Sequence, residues 1–227
     1  MSSWELALDS FFNLSVARDV LPTILKACWL TVYLSLFIIV TGIACGLALA
    51  LLRAFGIRSV NFFIVLYADF FRTVPPLVLI CLLYFGLPGA GLSISGFACA
   101  WLALSLILAA YSEESFWAGI AATNRGQWEA GRSTGLTKFQ TLLHIILPQA
   151  AKVAIAPLTS RTIAIAKGTS YASVVAVPEI LGAAQSELSV TYNATPLVMA
   201  AVAYCIIFIP VVAAGRYIEQ RFQWSAR

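Results

Sequence analysis

Ala27 to Leu52 is a run of 26 residues without a single charged side chain, and it limits the fold more than any other stretch. A helix of that length reaches ~39 Å at 1.5 Å per residue. That exceeds the ~30 Å of hydrocarbon in a typical bilayer. Lipid offers no partner to backbone N–H and C=O groups, so such a run crosses it as a helix. Thr195 to Gly215 is a second uncharged run, of 21 residues. With 61% hydrophobic and 11% charged residues and a mean hydropathy of +0.90, the composition excludes an ordinary soluble domain. The expectation is an all-α polytopic membrane protein, one transmembrane domain over residues 1–227. Five transmembrane helices are expected near 22–52, 60–85, 97–121, 140–167 and 195–215, with a polar loop at 122–139.

Taken in order, Trp4, Leu8, Phe11 and Phe12 share a face beside Glu5 and Asp9, the pattern of a stub lying on a membrane surface. Pro22 is expected to open the first span. Gly42 and Gly46 form a small-xxx-small pair that lets another helix approach. Arg53, Gly56 and Arg58 end it. The second span is interrupted by Asp69, Arg72, Pro75 and Pro76; Asp69 and Arg72 can pair at helical spacing, and the prolines must kink or break the helix. Leu87 to Gly96 is expected to turn tightly. The third span is uncharged until Glu113 and Glu114, and the fourth carries Pro148, Lys152, Pro157, Arg161 and Lys167. Between 168 and 194 the sequence is too apolar for a loose loop, so short packed helices are expected. Arg216, Glu219, Arg221 and Arg227 follow the fifth span.

Five spans place the chain ends on opposite sides. One side then holds Arg53, Arg58, Arg125, Arg132, Lys138, Arg216, Arg221 and Arg227, and the other only Arg18 with Lys26 at its border. The positive-inside bias puts the N-terminus outside and the C-terminus in the cytoplasm. The early acidic residues Glu5, Asp9 and Asp19 argue against a cleavable signal.

Several chemistries are disfavoured. There is no GxxxxGK[ST] phosphate cradle, and the single histidine, His144, leaves no metal spacing. The five cysteines (Cys28, Cys45, Cys81, Cys99, Cys205) lie singly in apolar runs and read as small core residues. The net charge of +4 forms no stripe, so nucleic acid is not suggested.

What remains is the polar segment before the fourth span. Trp128 to Ser133 has helical spacing, Gly135 permits a sharp turn, and a new helix starts at Lys138, with Phe139, Leu142, Leu143, Ile146 and Leu147 on its apolar face. Spacing alone leaves two readings open: a docking handle for a cytoplasmic protein, or an ordinary interfacial loop.

The residues here also follow a known pattern. Glu129-Ala130-Gly131, then Gly135, then Ile145-x-Leu147-Pro148 resembles the EAA loop of ABC importer permeases, Glu-Ala-Ala-x3-Gly-x9-Ile-x-Leu-Pro, with Gly131 in place of the second Ala. YADFFRTVPPLVLICLLYFGLP (Tyr67 to Pro88) and AAYSEESFWAGI (Ala109 to Ile120) are similar to the polar amino-acid uptake branch, and the likeness spans about residues 20–220. The resemblance implies a type I ABC importer permease fold in a bacterial cytoplasmic (inner) membrane. It implies a second permease subunit, identical or homologous, two ATPase subunits holding ATP and Mg2+, and an external solute-binding protein. No cofactor is expected on this chain, nor catalysis by it. Glu129, Ala130, Gly131, Arg132, Gly135, Ile145, Leu147 and Pro148 would couple it to the ATPases. Glu129 and Arg132 would make charged contacts there, Gly135 would set the angle, and Pro148 would cap the connection to the fourth span.

For the solute pathway, intramembrane ionisable groups are the candidates: Asp69, Arg72, Glu114, Arg161 and Lys167, with Thr169 and Ser170. Glu114 aligns with the acidic residue of the family's Ala-Glu-Ile-x-Arg-Gly-Gly-Ile pattern, where Trp117 replaces the Arg. Lys167-Gly168-Thr169-Ser170 aligns with Lys-Asp-Thr-Ser, with Gly168 for Asp. Those departures argue against a strongly cationic solute such as arginine. They also fit a chain that is the non-binding half of a heterodimer, and Glu114 as a water-facing helix-end carboxylate stays open. A rival class is an ion-coupled secondary transporter of small polar solutes, against which five spans divide unevenly. A membrane-embedded enzyme is disfavoured because the neighbours Glu113 and Glu114 point to different helix faces.

Overall fold

The computed structural model describes residues 2–223, and among them every regular element is helical. In order these are α1 (Ser3–Phe11), α2 (Leu14–Arg53), α3 (Arg58–Thr73), α4 (Pro76–Cys81), α5 (Gly96–Ala122), α6 (Arg125–Ser133), α7 (Lys138–Thr141), α8 (Leu147–Lys167), α9 (Ile180–Thr191) and α10 (Thr195–Gln223). Wide π-type turns at Leu82–Gly86 and Leu142–Ile146 follow α4 and α7, and 3₁₀ segments cover Leu87–Ala90 and Gly168–Val175. Four helical stretches are long and apolar enough to cross a membrane, or five if α3 and the α4 segment count as one broken crossing. Arg227, one of the cations in the orientation argument, lies outside the described residues.

Two readings differ from expectation for identifiable reasons, those of Pro22 and Pro148, while the break in the second span falls where the prolines were expected to put it. α2 starts at Leu14, and Pro22 sits inside it. The start signal is Asn13, whose Oδ1 accepts the N–H groups of Ser15 (3.0 Å) and Val16 (3.1 Å) as a helix cap. Pro22 then deprives only the Arg18 carbonyl of its partner. The 60–85 segment is two helices, because Val74, which precedes Pro75, adopts extended backbone (φ −72°, ψ 127°). Pro148 does not cap a connection: the helix runs on through it. The wide turn at Leu142–Ile146 comes directly before, giving the ring space that a regular ladder denies it.

The chain forms two compact units. The first contains the described residues up to Phe37, with Pro76–Ala103 and Ala166–Val212. Its core packs Val20, Ile24 and Ala27 of α2 against Ile180, Ala183 and Ala184 of α9 and Ala200 and Ala203 of α10. Buried Thr31 accepts the Ile180 N–H at 3.1 Å, and buried Glu179 caps α9 through the Gly182 N–H (2.8 Å) while accepting the Tyr204 hydroxyl at 2.5 Å. α1 is tied down by backbone: the Ser10 carbonyl accepts the Ala194 N–H at 2.8 Å, and the Asp9 carbonyl accepts Asn193 Nδ2 at 2.8 Å.

The second unit contains Ile38–Pro75, Leu104–Ile165 and the described residues from Ala213. Its core joins Ala50, Phe116, Ile120, Leu142, Ile146, Ala150 and Ala154. α5 is gripped closely from two sides. A Cβ on Gly46 of α2 would stand 2.5 Å from the Ala109 carbonyl oxygen, and one on Gly119 would stand 2.3 Å from that of Ala150 in α8. The Gly42–Gly46 face therefore does receive another helix, and that helix is α5.

Candidate functional site

Two features of the second unit carry the chemistry. The first is the polar segment at 122–139 with the helix it leads into. Asn124 caps α6 by accepting the Gly126 N–H at 2.8 Å. Gly135 takes the left-handed conformation (φ +88°) that a non-glycine residue adopts only with strain. Thr137 and Gln140 then close a capping box over α7. The helix–turn–helix predicted from spacing is thus present, and the capping box is an unread Thr-x-x-Gln signal.

Within this segment the roles divide by burial. Glu129, Ala130 and Arg132 are exposed, while Gly131 is buried. A Cβ on Gly131 would meet Thr141 Cγ2 at 2.7 Å and Ile145 Cδ1 at 2.8 Å, so α6 lies directly on the helix that follows. That explains glycine where the pattern has alanine. Glu129 pairs with Arg125 at 3.0 Å, a fully wet (i, i+4) contact worth little to stability. Arg132 is exposed one helical turn further on. Lys138 Nζ donates to the Phe55 carbonyl at 2.7 Å, and the Phe55 and Phe139 rings stack at 6.2 Å, which seats α7 on the end of α2. Ile145 is packed into the core, Leu147 is half-buried and Pro148 is exposed.

The second feature is a charged cluster. Asp69 and Arg72, one turn apart on α3, pair at 2.5 Å, and Arg72 also bonds Glu114 of α5. Side-chain exposures are 60% for Asp69 and 53% for Glu114, so two carboxylates and one guanidinium stand on an open surface of this unit. Tyr111, one turn before Glu114 and so on its side of α5, lies under the Arg161 guanidinium at 4.6 Å. The structure brings together Asp69, Arg72 and Glu114, with Arg161 on that same face. Lys167, Thr169 and Ser170 belong to the first unit. There Lys167 is exposed at the end of α8, and Ser170 is half-buried. Thr169 is fully buried, its hydroxyl spent on the Ala166 carbonyl at 2.8 Å. A pathway contact through that hydroxyl is therefore corrected to a helix-end bond.

One pair escaped the sequence reading. Arg53 donates to Glu113 at 2.8 Å and lies over the Trp117 ring at 4.5 Å. Three chemically unrelated positions meet there, and only Trp117, standing where the resemblance has an arginine, hinted that a cation comes from elsewhere.

Comparison with known proteins follows the same lines. The profile of the family described as binding-protein-dependent transport system inner membrane component matches residues 38–224. The probable glutamine ABC transporter permease protein GlnM of Bacillus subtilis (strain 168) is 32% identical over 94% of this chain and 99% of its own length. A probable amino-acid ABC transporter permease protein, YckA, from the same organism is 35% identical over 78% of this chain and 77% of its own. Among solved structures, a crystal structure of an amino acid ABC transporter with histidines superposes with a TM-score of 0.81, at 29% identity over 92% of this chain and 97% of that one.

Proposed function

This chain belongs to the family of binding-protein-dependent transport system inner membrane components, and on that footing we propose that it carries a polar amino acid or a close derivative across a bacterial cytoplasmic membrane. It is a multi-pass permease subunit of an ABC importer with the type I permease fold. Membership in this family sets the ion-coupled secondary transporter aside. The working complex pairs this chain with a second permease subunit, identical or homologous. Two separate ATPase chains bind ATP and Mg2+, and an external binding protein delivers the solute. The bias of cations supports a cytoplasmic α6 and an external N-terminus.

The observation that carries the mechanism is the division of α6 by burial. Glu129, Ala130 and Arg132 face outward for a partner, and Gly131 holds the same helix against Thr141 and Ile145 with no space to slip. A push on α6 is therefore delivered to the fourth span. Glu129 and Arg132, free of any buried bond, offer charge-assisted hydrogen bonds to an ATPase groove. Asp69, Arg72 and Glu114 line the solute route: two carboxylates around one guanidinium leave one negative charge, which fits a solute's α-amino group. Arg161, in the same unit, stands as a further member, and Lys167 and Ser170 are separate candidates of the first unit. The test is Glu129→Ala in the reconstituted complex with its ATPases and binding protein. Uptake per ATP hydrolysed is expected to collapse while membrane insertion and assembly persist. Wild-type uptake would remove α6 from the mechanism.

A further inference from the structure

Glu113 is a costly residue to place where it is. Its side chain is 1% exposed, it pairs with Arg53, itself 21% exposed, and its Oε2 has no hydrogen-bond partner among the described residues. Buried ion pairs add little net stability, and an apolar pair of similar volume often serves the fold as well or better. Stability is thus a weak explanation for this one, and its position supplies a better one. Arg53 sits near the end of α2, two residues before Phe55. The Phe55 carbonyl and ring are what Lys138 and Phe139 of α7 dock on, and α7 carries Thr141, against which Gly131 of α6 is pressed. On its other side Glu113 is the chain neighbour of Glu114, which bonds Arg72. Unbroken contact therefore runs from α6 through α7, Phe55, Arg53 and Glu113 to the charged cluster.

We propose that the Arg53–Glu113 pair is a positioning contact: it passes the movement of α6 and α7 to Glu114 and Arg72. This rests on the coupling role of α6. Successive helix residues point ~100° apart. A displacement of Arg53 that draws Glu113 with it must therefore turn α5 and re-aim Glu114. Trp117 holds the guanidinium from a second side, so Arg53 cannot follow α7 without taking α5 along.

The test uses the assembled complex in lipid discs, with the five native cysteines replaced by alanine and a single reporter, Thr73→Cys, next to Arg72. Its alkylation rate is measured before and after MgATP with vanadate closes the ATPases. The parent should show a nucleotide-dependent change. Couplings between sites commonly amount to ~5–150-fold in an equilibrium, so Arg53→Met/Glu113→Leu should shrink the response at least about fivefold. That double variant removes both charges and leaves no orphan behind, so it assembles. A purely structural pair would leave its response intact, and that result, or a parent without any response, overturns the proposal. A parallel arm carries Glu129→Ala. If that arm loses the response while Arg53→Met/Glu113→Leu keeps it, the pair is excluded and the coupling role of α6 stands. If Glu129→Ala alone keeps it, Glu129 is not the lever.

Discussion

Gly131→Ala puts the tightest contact of α6 to a quantitative test. The added Cβ would lie 2.7 Å from Thr141 Cγ2, 2.8 Å from Ile145 Cδ1 and 3.1 Å from Thr141 Oγ1, against ~3.5–4.0 Å for relaxed carbon contacts. Ile145 Cδ1 ends a flexible side chain and can turn aside. Thr141 cannot: it is fully buried, its hydroxyl bonds the Thr137 carbonyl at 3.0 Å, and a branched Cβ in a helix has few rotamers. Overpacking of this kind costs ~1–3 kcal/mol, and the better helix propensity of alanine returns ~1 kcal/mol. The net, about 1 kcal/mol, is roughly a fivefold rise in the undocked fraction of α6. Thr141→Ser removes the offending methyl and keeps the hydroxyl bond, at ~0.8 kcal/mol for the lost carbon. Hydrogen exchange of α6 amides in lipid discs reads the undocking directly, alongside uptake per ATP hydrolysed. Exchange should quicken in Gly131→Ala and slow again when Thr141→Ser is added. Wild-type exchange in the single variant, or no recovery in the double, refutes the reasoning.

Gly119→Ala should be far worse, because its Cβ would stand 2.3 Å from a backbone atom, the Ala150 carbonyl oxygen, which no rotamer change can move. α5 and α8 must part by about 1 Å, and a loss at or above the ~3 kcal/mol end of overpacking is expected; an unchanged melting temperature of the purified complex would contradict it. In the first unit, Tyr204→Phe strips the buried Glu179 side chain of its hydroxyl partner at 2.5 Å, and a buried polar group left short of a partner costs ~1–3 kcal/mol. Thermal unfolding should begin earlier in that variant, and an unshifted curve would mean the Gly182 N–H suffices.

What could be read in advance was local. The turn at Gly135, the helix on either side of it and the break at Pro75–Pro76 follow from backbone rules that act within a few residues. The Gly42–Gly46 face was legible too, though not its partner. Pro22 misled because a proline can open a helix or lie within it, and the decision was made by Asn13, a capping residue outside the apolar run. Pairings between helices were the hardest. Asp69 and Arg72 were found because they share one turn, whereas Arg53 and Glu113 are 60 positions apart and bonded only once α2 and α5 pack. Thr169 looked available for a solute because a sequence does not show that its hydroxyl is consumed by its own backbone.

The glycines and the charges of the second unit belong to one argument. Interiors packed to this density transmit strain rather than absorb it. Gly46 against Ala109, Gly119 against Ala150 and Gly131 against Thr141 are all contacts in which a single methyl would not fit, so there is no slack between α2 and α5, between α5 and α8, or between α6 and α7. An α5 held this closely can shift only with its neighbours. The ionisable groups that respond to such a shift, Glu113 and Glu114, stand on the stretch of α5 between the Gly46 and Gly119 contacts. Charge interactions change steeply with distance at low dielectric, so a movement of an ångström there matters more to the buried Glu113 and its Arg53 partner than the same movement would on a wet surface. In the mechanism proposed above, a push at α6 becomes an altered affinity within the membrane. Close backbone contacts supply the stiffness for that, and ion pairs beside them supply the response.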